Sequence, residues 1–304
     1  MRGVITFGLV AMLASGGAEA ADRPAITGIS HIAVYAADLA AADQFYAVKL
    51  GAEKHPDPEN AKGTIYRFSP QQYVEVLPLP TGEGINRLAH VAFSTADAAK
   101  LRAYLSAHHA REVSPVQRAP DGGQWFSARD PEGNLVQFVQ SGTTDTTPAP
   151  GALSSRIIHI GFAVHDRAKE DGFYRALLGF RPYWWGSMKA GTTDWVSQQV
   201  PDGHDWIEYM MVGDGSTTPL AKIDQQELGV LNHFSLGVAN MEAAVTTLIA
   251  GDRLSPRHDG PQMGLDGKWQ ANLYDPDGSR VELMEFQPVT KPCCSAFTAD
   301  SPKG

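Results

Sequence analysis

Cysteine is nearly absent from this chain of 304 residues. There are two, Cys293 and Cys294, side by side near the C-terminus. One adjacent pair cannot build a disulfide framework, and a bond between neighbours closes a small, strained ring. The pair is therefore expected to be a tail feature with no catalytic role, with metal binding or pairing between chains as the alternatives. An excess of positive charge is also missing: 25 Lys and Arg face 34 Asp and Glu, a net charge of -9. A phosphate backbone or an anionic membrane would repel such a chain, which excludes nucleic acid and charged lipid surfaces as partners. Long apolar runs are scarce too. The N-terminal "MRGVITFGLVAMLASGGAEA" carries one apolar stretch, too short to span a bilayer comfortably. With Arg2 before it and Ala18-Glu19-Ala20 after it, residues 1–20 have the pattern of a secretory signal peptide. The mature protein is expected in the periplasm or outside the cell, with no membrane contact after cleavage. What is present is ordinary for a soluble globular protein: 43% apolar and 19% charged residues, at a length that suits about two domains.

The chain repeats itself. "HIAVYAADLAAADQFYAVKLG", starting at His31, lies without a gap on "HIGFAVHDRAKEDGFYRALLG", starting at His159. Each copy has an apolar strand carrying one histidine, then an Asp (Asp38, Asp166) placed to cap a helix. The helix ends in Phe-Tyr and Leu-Gly, and the glycines Gly51 and Gly179 are suited to its C-terminal cap. "RLAHVAFSTADAAKLRAYLSAHHA" and "GVLNHFSLGVANMEAAVTTLIAG" repeat the strand and helix more weakly, with His90 and His233. Each is followed by a hairpin turning on Asp-Pro-acid-Gly, at Asp130 to Gly133 and Asp275 to Gly278. The reading is an α+β fold of four tandem βαβββ modules. Residues 26–141 form one domain and 156–287 a second, joined by a Ser/Thr/Pro/Gly linker over 142–155. Residues 288–304 read as a loose tail. Which modules pair with which stays open.

Every module also ends in an apolar strand with one polar residue: Glu75 in "YVEVLPL", Gln137 in "LVQFVQ", Glu208 in "WIEYMMV" and Glu282 in "RVELMEF". A single strand histidine is usually a satisfied core residue, and a single flanked carboxylate an edge residue. Recurrence at the same point of every module is different. Burying carboxylates is costly, but beside imidazoles and a divalent cation they support one another. His–Glu ion pairs closing two barrels are the alternative without metal.

This arrangement resembles the vicinal oxygen chelate superfamily of glyoxalases, bleomycin-resistance proteins and extradiol dioxygenases. The resemblance covers nearly all of residues 26–287, most specifically in the two repeated stretches and in "YDPDGSRVEL". It implies paired modules curled into two cupped-sheet domains, with metal ligands on the first and last strands of each module. His159, Glu208, His233 and Glu282 match the four ligand positions of the glyoxalase type. His159, His233 and Glu282 alone match the two-His-one-carboxylate face of the dioxygenase type. His31, Glu75, His90 and Gln137 make a second, less charged candidate site.

An open divalent metal chelates a substrate through two adjacent oxygens. In the lyase/isomerase reading, placed first here, the metal is Zn, Ni, Co or Mn, and Glu208 or Glu282 abstracts a proton beside a carbonyl. The export signal then argues for a substrate other than a glutathione adduct. In the dioxygenase reading Fe(II) sits on His159, His233 and Glu282, with Glu208 behind them; the final hairpin departs from that branch, with Tyr274 two residues before Pro276 and His258 upstream. A protein of this fold that binds a small ligand without catalysis is the third reading. The aromatics Tyr183, Trp184, Trp185, Trp195, Trp206 and Tyr209 are able to stack a planar ligand, or else to fill a core or a homodimer seam. His204, Arg257, His258 and Tyr274 are candidate substrate contacts.

Overall fold

The computed structural model describes residues 23–82, 84–219 and 230–304; the expected signal peptide lies outside them. The first half builds one sheet from β1 (Ile26–Ala36), β2 (Glu53–Pro56), β3 (Thr64–Ser69), β4 (Gln72–Pro78), β5 (Leu88–Thr95), β6 (Gln117–Arg118), β7 (Gln124–Arg129) and β8 (Leu135–Gln140). The second half repeats it with β9 (Ile157–Val164), β10 (Arg181–Gly186), β11 (Trp195–Gln199), β12 (Trp206–Met211), β13 (Leu231–Val238), β14 (His258–Met263), β15 (Trp269–Tyr274) and β16 (Arg280–Glu285). The strand orders are β2-β3-β4-β1-β5-β8-β7-β6 and β10-β11-β12-β9-β13-β16-β15-β14. Each sheet is two βαβββ modules side by side. The first strands of the pair run antiparallel down the middle, and each first strand lies parallel to its own module's last strand. Module pairing, open in the sequence, is thus within each half.

The middle strands read as unbroken apolar runs because both faces are covered. Every residue of β9 is buried. The helices α1 (Leu39–Asp43), α2 (Ala98–Ala107), α3 (Arg167–Asp171) and α4 (Met241–Ala250) cover the outer faces. Asp38 caps α1 by accepting from Ala40 N and Ala41 N, and Asp166 caps α3 by accepting from Lys169 N, as their positions predict. α1 and α3 each widen into a π-helical turn, Gln44–Lys49 and Gly172–Leu177. Gly51 and Gly179 follow with φ of 73° and 79°, the left-handed geometry that glycine adopts without a Cβ clash.

The repeated Phe-Tyr and Asp-Pro-acid-Gly motifs meet across the halves. Tyr46 Oη donates to Asp275 Oδ2 at 2.9 Å, and Tyr174 Oη donates to Asp130 Oδ2 at 3.4 Å. Gln72 stitches the two middle strands: its Nε2 donates to Ile29 O (2.7 Å) and Ile157 O (3.1 Å), and its Oε1 accepts from Ile157 N (3.0 Å). One apolar core runs through both halves, with Phe93, Phe162, Phe180 and both tyrosines inside it. Burying each such ring contributes on the order of 1.5–3 kcal/mol.

The tail is not loose. Thr298 N donates to Tyr183 O (3.0 Å), Trp184 Nε1 to Cys293 O (3.1 Å), and Tyr183 Oη shares a hydrogen bond with Ser301 Oγ (2.6 Å). Backbone groups at the edge of β10 and the polar atoms of its buried aromatics need partners, and the tail supplies them. Cys293 and Cys294 are bonded to each other, contrary to the expectation from adjacency.

Candidate metal centre

Strand alternation explains how four residues far apart in sequence meet. In β9, His159 and Gly161 share a face; in β16, Arg280 and Glu282 do; in β12, Trp206 and Glu208 do. β9 lies between β12 and β13, and β13 next to β16. All four first and last strands of the second half therefore present one inward row. His159 Nε2 and His233 Nε2 are 2.7 Å apart. Glu282 Oε2 lies 3.2 Å from His159 Nε2 and 3.9 Å from His233 Nε2, and Glu208 Oε2 lies 3.7 Å from His233 Nε2. The Gly161 position has to be bare, because a Cβ there would run into the His233 ring.

The neighbours fix the rings. Trp206 stacks on His159, centroids 4.5 Å apart. His233 Nδ1 lies 2.9 Å from Asn232 Oδ1 and 2.8 Å from Arg280 Nη2, and Arg280 Nη2 donates to Asn232 Oδ1 at 2.6 Å. In the tautomer that gives Nδ1–H to Asn232, the His233 Nε2 lone pair is free for a cation. Ser197 Oγ donates to Glu208 Oε1 at 3.2 Å.

Burial lowers the pKa of both imidazoles, His233 furthest because the charge of Arg280 adds to the effect. Neutral imidazole is the ligating form. Burial, then the charge of Glu282, pushes the Glu208 carboxyl up to about 7. Burial acts on Glu282 the same way, but the hydrogen bond and charge of His159 outweigh it and leave Glu282 below its ordinary value. Two neutral imidazoles and two buried carboxyls converging on one point suit a divalent transition metal. His159, His233 and Glu282 would hold it, with Glu208 as the fourth donor or the adjacent base.

His233, Glu208 and Glu282 open on a cavity of about 400 Å³ walled by Tyr183, Trp184, Trp195, Trp206 and Phe297, with Arg280 and Asp266 among its polar groups, and His159 lies behind them, fully buried. Trp206 is thus where the sequence reading puts it. The other expected substrate contacts lie elsewhere. Trp185 is 42% exposed and faces away, as alternation along β10 requires once Trp184 points inward. His204 sits in an exposed loop against Asp300 O. His258 is bound to Ser255 O on the outermost strand. Tyr274 donates to Asp259 and lies under Arg257, in a surface depression outside the cup. Tyr209 is buried in the core.

The sequence reading missed Asn232 and Arg280, although each stands one or two residues from a ligand, and period-two alternation marks Arg280 as inward. It also missed Lys268, fully buried with Nζ 4.6 Å from the Trp206 ring and held down to about 8 by burial.

In the first half, His31 Nε2 and His90 Nε2 are 2.8 Å apart, and Glu75 Oε2 is 3.3 Å from His90 Nε2 and 3.9 Å from His31 Nε2. Burial lowers His31 well below its ordinary value and His90 to about 4. The Glu75 carboxyl is raised to about 10 by burial, then by its hydrogen bond to Asp57 and that residue's charge. Gln137 Nε2 donates to Glu59 Oε2 at 2.7 Å; burial raises Glu59 to about 7. Asp57 and Glu59 come from the β2–β3 loop and carry no sequence signal of their own.

Comparison with known proteins agrees with this picture. The family model described as "Glyoxalase/Bleomycin resistance protein/Dioxygenase superfamily" matches residues 28–138. The remaining half repeats the same paired-module sheet, so the matched first half is similar to that superfamily and the second shares its strand order. No curated protein matches the sequence. Among solved structures, homoprotocatechuate 2,3-dioxygenase from Brevibacterium fuscum, in complex with 3,4-dihydroxyphenylacetate, superposes with a TM-score of 0.61 at 20% identity, covering 91% of this chain and 83% of that one. The 2,3-dioxygenase LapB from Pseudomonas sp. KL28 gives 0.63 at 16% identity, covering 89% and 97%. Homoprotocatechuate 2,3-dioxygenase from Arthrobacter globiformis gives 0.63 at 18%, covering 86% and 80%. At these identities the likeness is one of fold.

Proposed function

We propose that the protein is a metal-dependent enzyme acting on a small planar substrate with two adjacent hydroxyls, an extradiol-type dioxygenase using Fe(II) on His159, His233 and Glu282. The observation that carries this is the convergence of those three donors at the base of an aromatic-walled cavity open on one side. The two-domain dioxygenases of like fold support it as well, and they move this reading ahead of the lyase/isomerase one. Iron in such a site supplies redox-active coordination positions for a diol and dioxygen.

The chain's own groups do the rest. Trp184, Trp195 and Trp206 sandwich the ring and exclude water. Arg280, with no carboxylate partner among the described residues, puts positive charge beside the diol and favours its deprotonated form. Glu208, oriented by Ser197, accepts a hydroxyl proton. The bond between a hydroxylated carbon and its unsubstituted neighbour breaks, and both oxygen atoms of dioxygen enter the product.

The test is anaerobic loading with Fe(II), followed by oxygen uptake with catechol, 3,4-dihydroxyphenylacetate and alkylcatechols. We expect one dioxygen consumed per ring opened and no uptake with Zn(II). Fe(II) bound without uptake on any of these diols would overturn the reading. A lyase or isomerase then takes its place, a reading favoured by one observation: Glu208, 3.7 Å from His233 Nε2, completes a four-donor set. Its signature is oxygen-independent turnover of a hydroxycarbonyl substrate with Zn, Ni, Co or Mn. Binding without turnover would leave the ligand-binding reading. Export is proposed separately on the leader-like residues 1–20, and N-terminal sequencing of the mature protein checks it.

A further inference from the structure

The first cup repeats the donor pattern of the second but not its opening. His31, Glu75 and His90 bring their donor atoms within 4.8 Å of one another, all three buried. One imidazole is held from behind as a ligand is: Tyr73 stacks on His31 at 4.4 Å, and His31 Nδ1 lies 3.2 Å from Ser30 Oγ. With Nδ1–H given to that hydroxyl, Nε2 keeps its lone pair.

A second observation is independent of this geometry. Gln137 is 6% exposed, and its amide nitrogen is spent on Glu59, which leaves Oε1 buried with no partner. Buried acceptors without donors are rare and call for a missing partner. Charge points the same way. Asp57, Glu59 and Glu75 crowd together, and among the described residues no Lys or Arg nitrogen lies within 4 Å of any of them. A divalent cation would satisfy that acceptor and balance the carboxylates at once.

The mouth of the first cup is filled by its own β2–β3 loop. Gly63 makes room for this, since a Cβ there would strike the Asp57 carboxylate. In the second half the acid of the matching β10–β11 loop is used up by its own loop and by the segment after β12: Asp194 accepts from Ser187 Oγ, Met188 N and Thr217 N. It sends no carboxylate into the cup.

We propose that the first cup is a closed, structural metal site, in which His31, His90, Glu75 and the Gln137 amide oxygen hold a divalent ion of zinc type that meets no substrate. Two imidazoles with oxygen donors suit zinc, and a closed four-donor set is the structural arrangement of that ion, where catalytic sites keep a position open. Glu59 orients Gln137, and Asp57 orients Glu75.

The test uses the full chain with the second cup disabled by His159→Ala and His233→Ala. The protein is stripped with chelator, equilibrated with Zn(II), passed through gel filtration and measured for metal, with circular dichroism as the control for folding. We expect one zinc per chain and a higher melting temperature than without zinc. Adding His90→Asn should take the zinc to none. Co(II) in its place should give the intense visible bands of a four-coordinate site. No retained zinc and unchanged melting in the folded double variant would overturn the proposal and leave a hydrogen-bonded acid cluster. Should the double variant not fold, Glu75→Gln and His90→Asn made singly in the otherwise native chain decide: loss of one of two zinc equivalents supports the site, and two retained refute it. None of these readouts uses turnover, so they stand or fall apart from the dioxygenase assignment.

Discussion

The two cups are built by the same strands in the same order and differ in what comes over the rim. In the second, Trp184, Trp195 and Phe297 stand around a cavity and leave the donors reachable. In the first, Asp57 and Glu59 swing in from a loop and occupy the hydrogen-bonding capacity of Glu75 and Gln137. The difference teaches that a ligand row on strands sets where a metal sits, and that loops decide whether it can do chemistry. Charge follows the same division. The second cup has Arg280 beside its donors and Lys268 behind Trp206, so a substrate anion is tolerated there; the first cup holds three carboxyls and, among the described residues, no paired Lys or Arg.

The comparison breaks most completely at Glu282. Glu282→Ala should empty the second cup, cutting metal affinity by more than the ~10–100-fold typical of a residue behind a ligand, while the first cup keeps its ion; metal content per chain reads this directly. Glu208→Gln comes next and sharpens the functional reading. If Glu208 is the base, turnover falls about 10²–10⁴-fold with metal retained; if it is a ligand, metal is lost along with turnover. Asn232→Ala removes one of the two partners of His233 Nδ1 and leaves only the Arg280 donor, which favours the tautomer protonated at Nε2; it should weaken metal binding at the second cup about 10–100-fold, with the first unchanged.

The smallest effect is the pH dependence of the metal-free chain. Glu75 is held up to about 10 and Glu59 and Glu208 to about 7, so the folded chain keeps protons that the unfolded chain has released. Below about pH 6.5 the buried histidines, depressed in the fold, act in the opposite sense; above about pH 8 Lys268 does. Between these limits stability should fall as pH rises, and Glu75→Gln should remove one proton's share of the slope, ~1.4 kcal/mol per pH unit. Zinc should flatten it as well, because the metal displaces those protons. Melting at a series of pH values, with and without zinc, measures both.

Much of this was legible in the sequence because repetition and strand alternation are local. The copies starting at His31 and His159 gave away the modules, and one polar residue in each apolar last strand gave away the donors. Capping by Asp38 and Asp166 and the left-handed Gly51 and Gly179 followed from the same local rules. Arg280 was legible in principle, two residues before Glu282 on the same face. Asp57 and Glu59 were not, since a loop has no period to say where its side chains go. Trp185, His204, His258 and Tyr274 were drawn in by residue type and nearness in sequence, and the fold turned each of them away from the cup.

The amino-acid sequence by itself determined the module, its inward-facing histidines and carboxylates, and the fact that there are two sets of them, because a strand of period two fixes which side chains share a face. Only the tertiary structure decided that modules pair within each half, that the tail walls one cup with Phe297, and that a short acidic loop closes the other. Those outcomes depend on packing between segments distant along the chain, where no local periodicity constrains the backbone.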